Sequence, residues 1–325
     1  PEVSFFRSNY KRHTNFAQTV ERQVIQGNPS AGGMSTVRFE RKGDLLGFVY
    51  LAPRSGTAIY EPLQWLGQVA KVEWLVGGQV IDTQDANFSQ FVAPTVMAQN
   101  LTKSISGYGE AAESRFYPLR FSFCENWQSA IPLVALQYHD VEIRVTWGGS
   151  LTGAWECYAH FIYLDTDERS SLAAAPQNML ITQTQKSVAS NSTIQELNLN
   201  HPVKYLAAAD GSNLAIAADN NKIKLQINGT DVTDFKYTDP HYTAVSEYYH
   251  TCASVAAASG DNKKRFIYPF CFDTGKLQPT GSLNFSRVDS ARLVSETASH
   301  TDDIYAVNYN IMRVESGMGG LMYSN

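Results

Sequence analysis

Apolar and polar side chains alternate with a period of two along much of this chain. Residues 141–147 show the pattern in the first half, and residues 222–227 show it in the second half. Such alternation predicts half-buried antiparallel strands, each with one face on a core and one face towards water. The same pattern recurs over residues 36–40, 72–76, 155–163 and 305–311. The sequence therefore predicts an all-β protein.

Turn residues punctuate the predicted strands, and helical patterns are sparse. Asn228-Gly229 predicts a two-residue hairpin, because both central positions of a type I′ turn need a positive φ. Only residues 88–96 and 245–255 carry apolar side chains at helical spacing. Many short strands with few helices predict sandwiches or barrels. The other predicted turns are Gly77-Gly78, Gly148-Gly149, Asp210-Gly211 and a tight bend over residues 316–320.

The chain has 325 residues, which exceeds the usual size of a domain with a single hydrophobic core. Its length therefore predicts two domains. A short pattern also occurs twice, since residues 123–142 align without a gap with residues 270–289. We interpret this repeat as one structural unit built twice, although two copies alone leave a chance similarity open. In that case the two segments superimpose, and Cys124 and Cys271 lie buried and unpaired in separate cores.

No motif of catalysis or cofactor binding stands out. A G-x-S-x-G elbow, a P-loop, a G-x-G-x-x-G turn and an H-E-x-x-H helix are absent from the sequence. His139 and Asp140 are adjacent on a predicted strand and so point to opposite faces. Asp165, Asp167 and Glu168 resemble part of a cation site, but they lack the glycine and the distant glutamate of an EF-hand loop. We interpret this run as a solvated linker and predict no catalytic, cofactor or metal site.

The cysteines are also predicted to be structural. None of the four belongs to a C-x-x-C pair or has a histidine at zinc-ligand spacing. We interpret them as buried free thiols of a reducing compartment. They are Cys124, Cys157, Cys252 and Cys271.

Charge is unevenly distributed along the chain. The net charge is −5, yet residues 1–54 hold eight lysines and arginines against four acidic residues. We interpret this segment as a solvated or subunit-binding arm rather than a nucleic-acid contact, because it lacks a run of basic residues. No apolar run reaches the ~18 residues that a membrane helix needs. The start at Pro1 leaves a removed leader open.

Four sequons are candidate glycosylation sites, namely Asn87, Asn100, Asn191 and Asn228. Asn228 heads the predicted hairpin turn and is therefore expected to be accessible. Asn284 carries the same motif but precedes a predicted strand, and we interpret it as structural.

Several short segments of the sequence resemble the major capsid proteins of nucleocytoplasmic large DNA viruses. The resemblance is to the iridovirus and phycodnavirus branches of that family. The segments follow the order of that family across essentially the whole chain. They are YKRHTNFA (residues 10–17), VGGQVIDT (76–83), IPLVALQYHDV (131–141), YLDTDER (163–169), LNFSRVDSA (283–291), YAVNYN (305–310) and SGMGGLMYSN (316–325).

The resemblance implies a double jelly roll, that is, two eight-stranded antiparallel sandwiches in one chain with short helices in the loops. Residues 1–29 would then be an N-terminal arm, residues 30–170 the first roll, residues 171–186 a linker and residues 187–325 the second roll.

The same resemblance implies a structural function without catalysis. Three chains would form a pseudo-hexagonal capsomer, and such capsomers would tile an icosahedral virion shell assembled in the host cytoplasm. The implied partners are other copies of the chain, minor capsid and penton proteins and, through the arm, an internal membrane. No specific nucleic acid and no cofactor is implied.

A rival hypothesis is a glycan-binding or glycoamidase-type protein on paired jelly rolls. That function needs a cleft with clustered carboxylates or aromatic side chains, and the sequence offers no convincing pair. A penton or minor capsid protein is disfavoured, because those usually carry a single jelly roll.

Overall fold

The computed structural model describes residues 6, 13–54, 62–98, 101, 116–210, 214–252 and 265–324. In the first half these residues form two antiparallel sheets that face each other. The strands are β1 (Phe16–Gln23), β2 (Ile25–Gln26), β3 (Met34–Arg38), β4 (Leu45–Pro53), β5 (Val69–Val76), β6 (Gln79–Asp85), β7 (Tyr117–Pro118), β8 (Ile131–Pro132), β9 (Val141–Trp147) and β10 (Trp155–Leu164). One sheet has the order β1-β10-β4-β7, with β8 also on β4, and the other has the order β2-β3-β9-β5-β6.

The second half repeats this arrangement. Its strands are β11 (Gln177–Ser187), β12 (Ile194–Glu196), β13 (Pro202–Ala208), β14 (Lys222–Ile227), β15 (Thr230–Asp231), β16 (Lys236–Tyr237), β17 (Phe266–Pro269), β18 (Leu283–Asn284), β19 (Ala291–Ser295), β20 (Ile304–Glu315) and β21 (Met318–Leu321). One sheet has the order β11-β20-β13-β17, with β18 on β13 and β21 on β20. The other has the order β12-β19-β14-β15, with β16 on β14.

The two halves therefore have the same strand order, and the fold is the predicted double jelly roll. We call the sandwich of β1 to β10 the first roll and the sandwich of β11 to β21 the second roll. In each roll one sheet position is split into two short strands on the same partner: β7 and β8 lie on β4, and β17 and β18 lie on β13.

Each roll has its own apolar core, built by the predicted alternation. In β9 every second residue from Val141 to Trp147 is buried, and the residues between them are half-buried. The first core is rich in large aromatic side chains, whereas aliphatic residues such as Val203, Leu225 and Leu293 dominate the second. Burying one large aliphatic or phenylalanine side chain stabilises a fold by about 1.5–3 kcal/mol relative to leaving it exposed. The largest residues of the first core are Trp65, Trp74, Trp147, Phe121 and Phe123.

Helices are short and lie in the connections. The α-helices are α1 (Pro62–Gln68), α2 (Ala93–Val96), α3 (Ser122–Glu125), α4 (Thr166–Ala174), α5 (Thr238–Pro240) and α6 (Ser246–His250). A π-helical turn precedes α2 at Phe88–Val92, and another precedes α6 at His241–Val245. 3₁₀ turns lie at Trp127–Ser129, Leu133–Ala135, Ala215–Ala217 and Phe285–Arg287. No helix in these described ranges is long and apolar enough to cross a membrane.

Both predicted helices exist, but the second is shorter than the sequence pattern. Residues 88–96 are helical throughout, as predicted. The segment predicted over residues 245–255 ends at His250, and Thr251 is already extended. Val255 lies outside the described residues.

The hairpin turns follow the predicted chemistry. Asn228 and Gly229 have φ values of 51° and 77° and join β14 to β15, with Ile227 opposite Thr230. Gly77 and Gly78 form an equivalent two-residue turn between β5 and β6. The bend predicted over residues 316–320 is the hairpin from β20 to β21, with positive φ at Ser316 and Gly317.

Two segments predicted to lie outside the rolls are strands. β1 and β2 fall within the predicted arm of residues 1–29, yet β1 pairs with β10 along its whole length. The predicted linker, residues 171–186, contains the end of α4 and most of β11, which pairs with β20. The prediction failed because β1 and β11 are sheet-edge strands with much exposed, polar surface and hence a weak alternation.

The rolls repeat in a different register from the one that the Phe-Cys pattern predicted. β7 and β17 both end in Tyr-Pro, so the strands align at Pro118 and Pro269. Further on, Pro132 and Asn284 are equivalent, because each ends a strand and directly precedes a 3₁₀ turn. The alignment that set Pro132 beside Pro279 is therefore wrong. The connection between these strands is built differently in the two rolls, because it forms α3 in the first roll and no α-helix in the second.

Candidate assembly surfaces

A helical segment of the first roll covers the outer face of one sheet of the second roll. The π-helical turn Phe88–Val92 and α2 pack on β13, β17 and β20. We call this contact the internal interface. Its buried residues are Phe88, Phe91, Val92, Ala93, Val96 and Met97 from the first roll, and Tyr205, Ala207, Ala209, Ile267, Cys271, Tyr305 and Val307 from the second.

This contact corrects two sequence predictions. Tyr305 and Val307 do alternate with Ile304 and Ala306, but neither face of β20 meets water here. Ile304 and Ala306 face the core of the second roll, whereas Tyr305 and Val307 face the first roll. Cys271 lies in the internal interface rather than in the core of the second roll.

Polar contacts fix the position of this helical segment. The Asp85 carboxylate accepts hydrogen bonds from the Phe88 amide (2.9 Å) and from the Tyr305 hydroxyl (2.7 Å). The Arg265 guanidinium donates to the Phe91 carbonyl oxygen over 2.9 Å. Both ends of the π-helical turn are therefore attached to the second roll, and the two rolls are held in one relative orientation.

Strands of the second roll also extend into the core of the first. Ile181 of β11 and Met312 and Val314 of β20 belong to the first core. Their side chains are 0–2% exposed. The two rolls thus share apolar packing and are not joined by a flexible connection alone.

A layer of buried polar groups lies beside this shared packing. Asp82 accepts a hydrogen bond from the Thr184 amide over 2.9 Å, and the Gln183 side chain donates to the Ile81 carbonyl oxygen. Asp82 is enclosed at the boundary between the rolls, and burial raises the pKa of its carboxyl group to about 7.

Three charged side chains surround a small cavity at the same boundary. Arg120, Glu125 and Lys204 line a space of about 20 Å³, which is large enough for one water molecule. Burial lowers the pKa of Arg120 to about 10 and raises the pKa of Glu125. Among the described residues, the Arg120 Nε and Nη2 atoms have no hydrogen-bond partner. Lys204 donates to the Thr274 carbonyl oxygen over 3.0 Å.

The outer face of the equivalent sheet in the first roll is aromatic, and no helix of the described residues packs on it as α2 packs on the second roll. Phe48 stacks on His160 with ring centroids 4.5 Å apart, and Tyr50 stacks on Tyr158 at 5.4 Å. Phe116 packs edge-on against Tyr50. We call these five residues the outer aromatic face. Phe48 and Phe116 remain 42% and 40% exposed, an arrangement typical of an interaction surface.

A second exposed apolar surface lies on the helical segment of the second roll. Tyr248 and Tyr249 of α6 are 80% and 71% exposed, and Val245 at the end of the preceding π-helical turn is 40% exposed. Aromatic side chains this exposed are enriched at protein–protein contacts.

The basic residues of the first segment are largely paired. Arg38 and Arg41 lie beside the Asp140 carboxylate, and Lys42 contacts Glu21 over 3.0 Å. These pairs reduce the positive charge available for a nucleic-acid backbone. Arg7, Lys11 and Arg12 lie outside the described residues.

His139 and the acidic run have structural roles. The Nδ1 atom of His139 lies 2.9 Å from the carbonyl oxygen of Gly319, which ties β21 to the first roll. Asp165 caps α4 by accepting from the Thr166 amide over 2.8 Å. Asp167 and Glu168 occupy the first turn of α4, where they interact favourably with the helix dipole. Within the described ranges no cluster of three His, Cys, Asp or Glu residues could hold a metal ion.

All four cysteines are free thiols, as predicted. Burial raises the pKa of Cys124 and of Cys157 to about 12, so neither side chain forms a reactive thiolate near neutral pH. Cys252 is only half-buried and lies beside the Asp273 carboxylate.

The sequons differ in exposure. Asn191 and Asn228 are exposed, and the Oδ1 atom of Asn228 accepts from the amides of Asp289 and Ser290. Asn87 is half-buried and directly precedes the internal interface. Asn100 lies outside the described residues.

Comparison with known proteins agrees with this architecture. The family "Major capsid protein N-terminus" matches residues 4–151, and "Large eukaryotic DNA virus major capsid protein" matches residues 168–320. The chain is 33% identical to the major capsid protein of Pyramimonas orientalis virus, over 100% of this chain and 95% of that protein. The chain belongs to the major capsid proteins of large eukaryotic DNA viruses.

Two further comparisons support the fold and the role of this capsid protein. It is 28% identical to the major capsid protein of Paramecium bursaria Chlorella virus 1, over 100% of this chain and 95% of that protein. Its structure matches a chain of the quasi-atomic PBCV-1 virus capsid with a TM-score of 0.79 and 25% identity, covering 99% and 100% of the two chains. The predicted family and fold are confirmed. Its role is structural, as a building block of the virion capsid.

Proposed function

We propose that three copies of this capsid protein form a pseudo-hexagonal capsomer, and that such capsomers tile an icosahedral shell. The observation that carries the proposal is the repeat of one strand order in two rolls that share packing across the internal interface. Three rigid two-roll chains supply six similar units, which suit a ring with heterologous, closed contacts. The exposed aromatic surfaces on both rolls supply apolar area for such contacts.

The mass of the purified chain in solution tests this proposal. Size-exclusion chromatography with light scattering at micromolar concentration is expected to give three times the 36.0 kDa of one chain. Electron micrographs of the same sample are expected to show hexagonal outlines or sheets of them. A stable monomer would contradict the proposal.

We further infer how the chain is divided and oriented. The first roll ends with β10, α4 connects the rolls, and the second roll begins with β11. The residues before β1 are proposed to face the inside of the shell and its membrane. Minor capsid and penton proteins are the proposed partners at the edges between capsomers, and the host cytoplasm is the proposed place of assembly.

Asn191 and Asn228 are the proposed glycosylation sites, because both are exposed. A glycan would occupy Nδ2 and leave Oδ1 of Asn228 free to accept its two amide hydrogen bonds. In virion-derived protein we expect Asn191→Gln and Asn228→Gln each to remove one glycan mass, measured by mass spectrometry of the intact chain. Asn284→Gln is the matched control, and an unglycosylated wild-type chain would contradict the assignment.

A further inference from the structure

The outer sheet surface of the second roll that the helical segment covers and the outer sheet surface of the first roll match at the strands that carry Tyr205 and Tyr50. Tyr50 pairs with Pro118, and Tyr205 pairs with Pro269, so the two tyrosines occupy the same position. By the same pairing Phe116 is equivalent to Ile267. Tyr158 pairs with Tyr50 as Val307 pairs with Tyr205. Three residues of the outer aromatic face therefore correspond to three residues of the internal interface: Tyr50 to Tyr205, Tyr158 to Val307 and Phe116 to Ile267.

The two helical segments are equivalent as well. The first follows β6, which pairs with β5, and the second follows β16, which pairs with β14. Each contains a five-residue π-helical turn that continues directly as a short α-helix. Aligned at these turns, Val92 corresponds to Val245 and Val96 corresponds to Tyr249.

The same helix face is thus buried in one roll and exposed in the other. Val92 and Val96 are 2% and 1% exposed beneath the second roll. Their counterparts Val245 and Tyr249 face solvent. Among the described residues, each chain therefore carries one completed contact, and two partly exposed surfaces that resemble the two sides of a second contact of the same kind.

We propose that the segment His241–His250 of one copy docks on the outer aromatic face of a second copy, in the manner of the internal interface. This inference rests on the proposed capsomer and assigns its subunit contact. The occupant is another copy of the chain, because the internal interface already shows this type of helix seated on this type of sheet.

A groove beside the outer aromatic face can receive the docked side chains. It has a volume of about 550 Å³ and is lined mainly by apolar residues, including Phe48, Tyr50, Met97 and Phe116. Tyr248 and Tyr249 of the incoming copy provide aromatic side chains that can fill such a space.

The contact is heterologous, because a helix of one copy meets a sheet of the next. Each copy has one helix to donate and one sheet to accept, so copies add head to tail until a ring closes. The internal interface repeats the same step within each chain. Around the ring, contacts between the two rolls of one chain therefore alternate with contacts between two chains.

Two single substitutions test the assignment. Tyr249→Arg changes only the donor helix, and Phe116→Arg changes only the acceptor sheet. Each is expected to weaken trimer formation by about 30-fold or more in dissociation constant, as for a central interface residue. Val188→Arg is the control, because Val188 is 69% exposed and belongs to neither surface. Trimer and monomer are measured by light scattering over a dilution series.

Mixing the two variants separates this inference from the proposed trimer. An equimolar mixture is expected to form a heterodimer, since one unmodified helix still meets one unmodified sheet, but not a trimer. This heterodimer also shows that both variants are folded. Trimers that persist in both variants, or a mixture without heterodimer, overturn the docking assignment while a wild-type trimer stands. A monomeric wild-type chain overturns both.

Discussion

Asp82 is a carboxyl group enclosed where the two rolls meet. It is 3% exposed, and its oxygens accept from the Thr184 amide and the Gln84 side chain. Desolvation outweighs these hydrogen bonds and raises its pKa from 3.8 to about 7. The folded chain therefore holds a proton that the unfolded chain loses above about pH 4. Its contribution to stability is complete below that pH and is lost as the pH rises to about 7.

Asp82→Asn is expected to remove this pH dependence. Relative to the variant, the wild-type chain loses up to about 4 kcal/mol of unfolding free energy between pH 4 and pH 8, at about 1.4 kcal/mol per pKa unit. Urea midpoints of both proteins at equal concentration over this pH range provide the measurement. Parallel curves for the two proteins would show that Asp82 ionises normally.

Residue identity alone did not reveal Asp82 or the charged cavity around Arg120. Asp82 lies in a strand of mostly polar residues without a regular alternation, and it is buried beside β11, a segment that the sequence suggested was a linker. The cysteines were easier to predict, because an apolar sequence environment correlates with a buried thiol. Contacts between segments far apart in the chain depend on which surfaces of the two rolls pack together. Local sequence patterns do not show that packing.

The turn between β5 and β6 depends on a glycine for steric reasons as well as for its backbone angle. Gly77 has a φ of 57°, and a Cβ there would lie 2.6 Å from the His139 ring. His139 cannot move freely, because its Nδ1 contacts the backbone of Gly319. At Gly78 the φ is 83°, but a Cβ would meet no atom within 4 Å.

Gly77→Ala is therefore expected to cost more stability than Gly78→Ala. The positive φ costs either variant about 1–2 kcal/mol, and the contact with His139 adds about 1–3 kcal/mol at Gly77. Thermal unfolding of both variants in the wild-type and His139→Ala backgrounds separates the cost of the positive φ from the cost of the contact with His139. Equal effects at the two glycines would refute the role of His139, and the difference should disappear once the ring is removed.

The elements that the sequence predicted well are those fixed by local chemistry. Asn228-Gly229 predicted the hairpin, and the spacing of apolar residues over 88–96 predicted the helix. Both patterns lie within a few consecutive residues. The repeat was harder, since the correct register follows the partners of β8 and β18 rather than a shared Phe-Cys pair. The edge strands β1 and β11 were missed because edge positions tolerate polar residues on both faces.

Across the whole molecule, the two rolls are predicted to unfold together. The first core contains Met312 and Val314 from β20 and Ile181 from β11, although these strands belong to the second roll. Loss of order in β20 therefore removes packing from both cores at once. All five tryptophans lie in the first half of the chain, so their fluorescence reports on the first roll alone.

Met312→Ala tests this coupling. The side chain is 0% exposed, and its truncation is expected to lower the unfolding free energy by about 2–5 kcal/mol. The loss should appear in tryptophan fluorescence as well as in far-UV circular dichroism during urea unfolding. Leu293→Ala removes an equally buried side chain wholly within the second core, and coupling requires that it too lowers the fluorescence midpoint. If Met312→Ala left the fluorescence transition unchanged, the rolls would be independent units, and a rigid six-roll ring would need another source of rigidity.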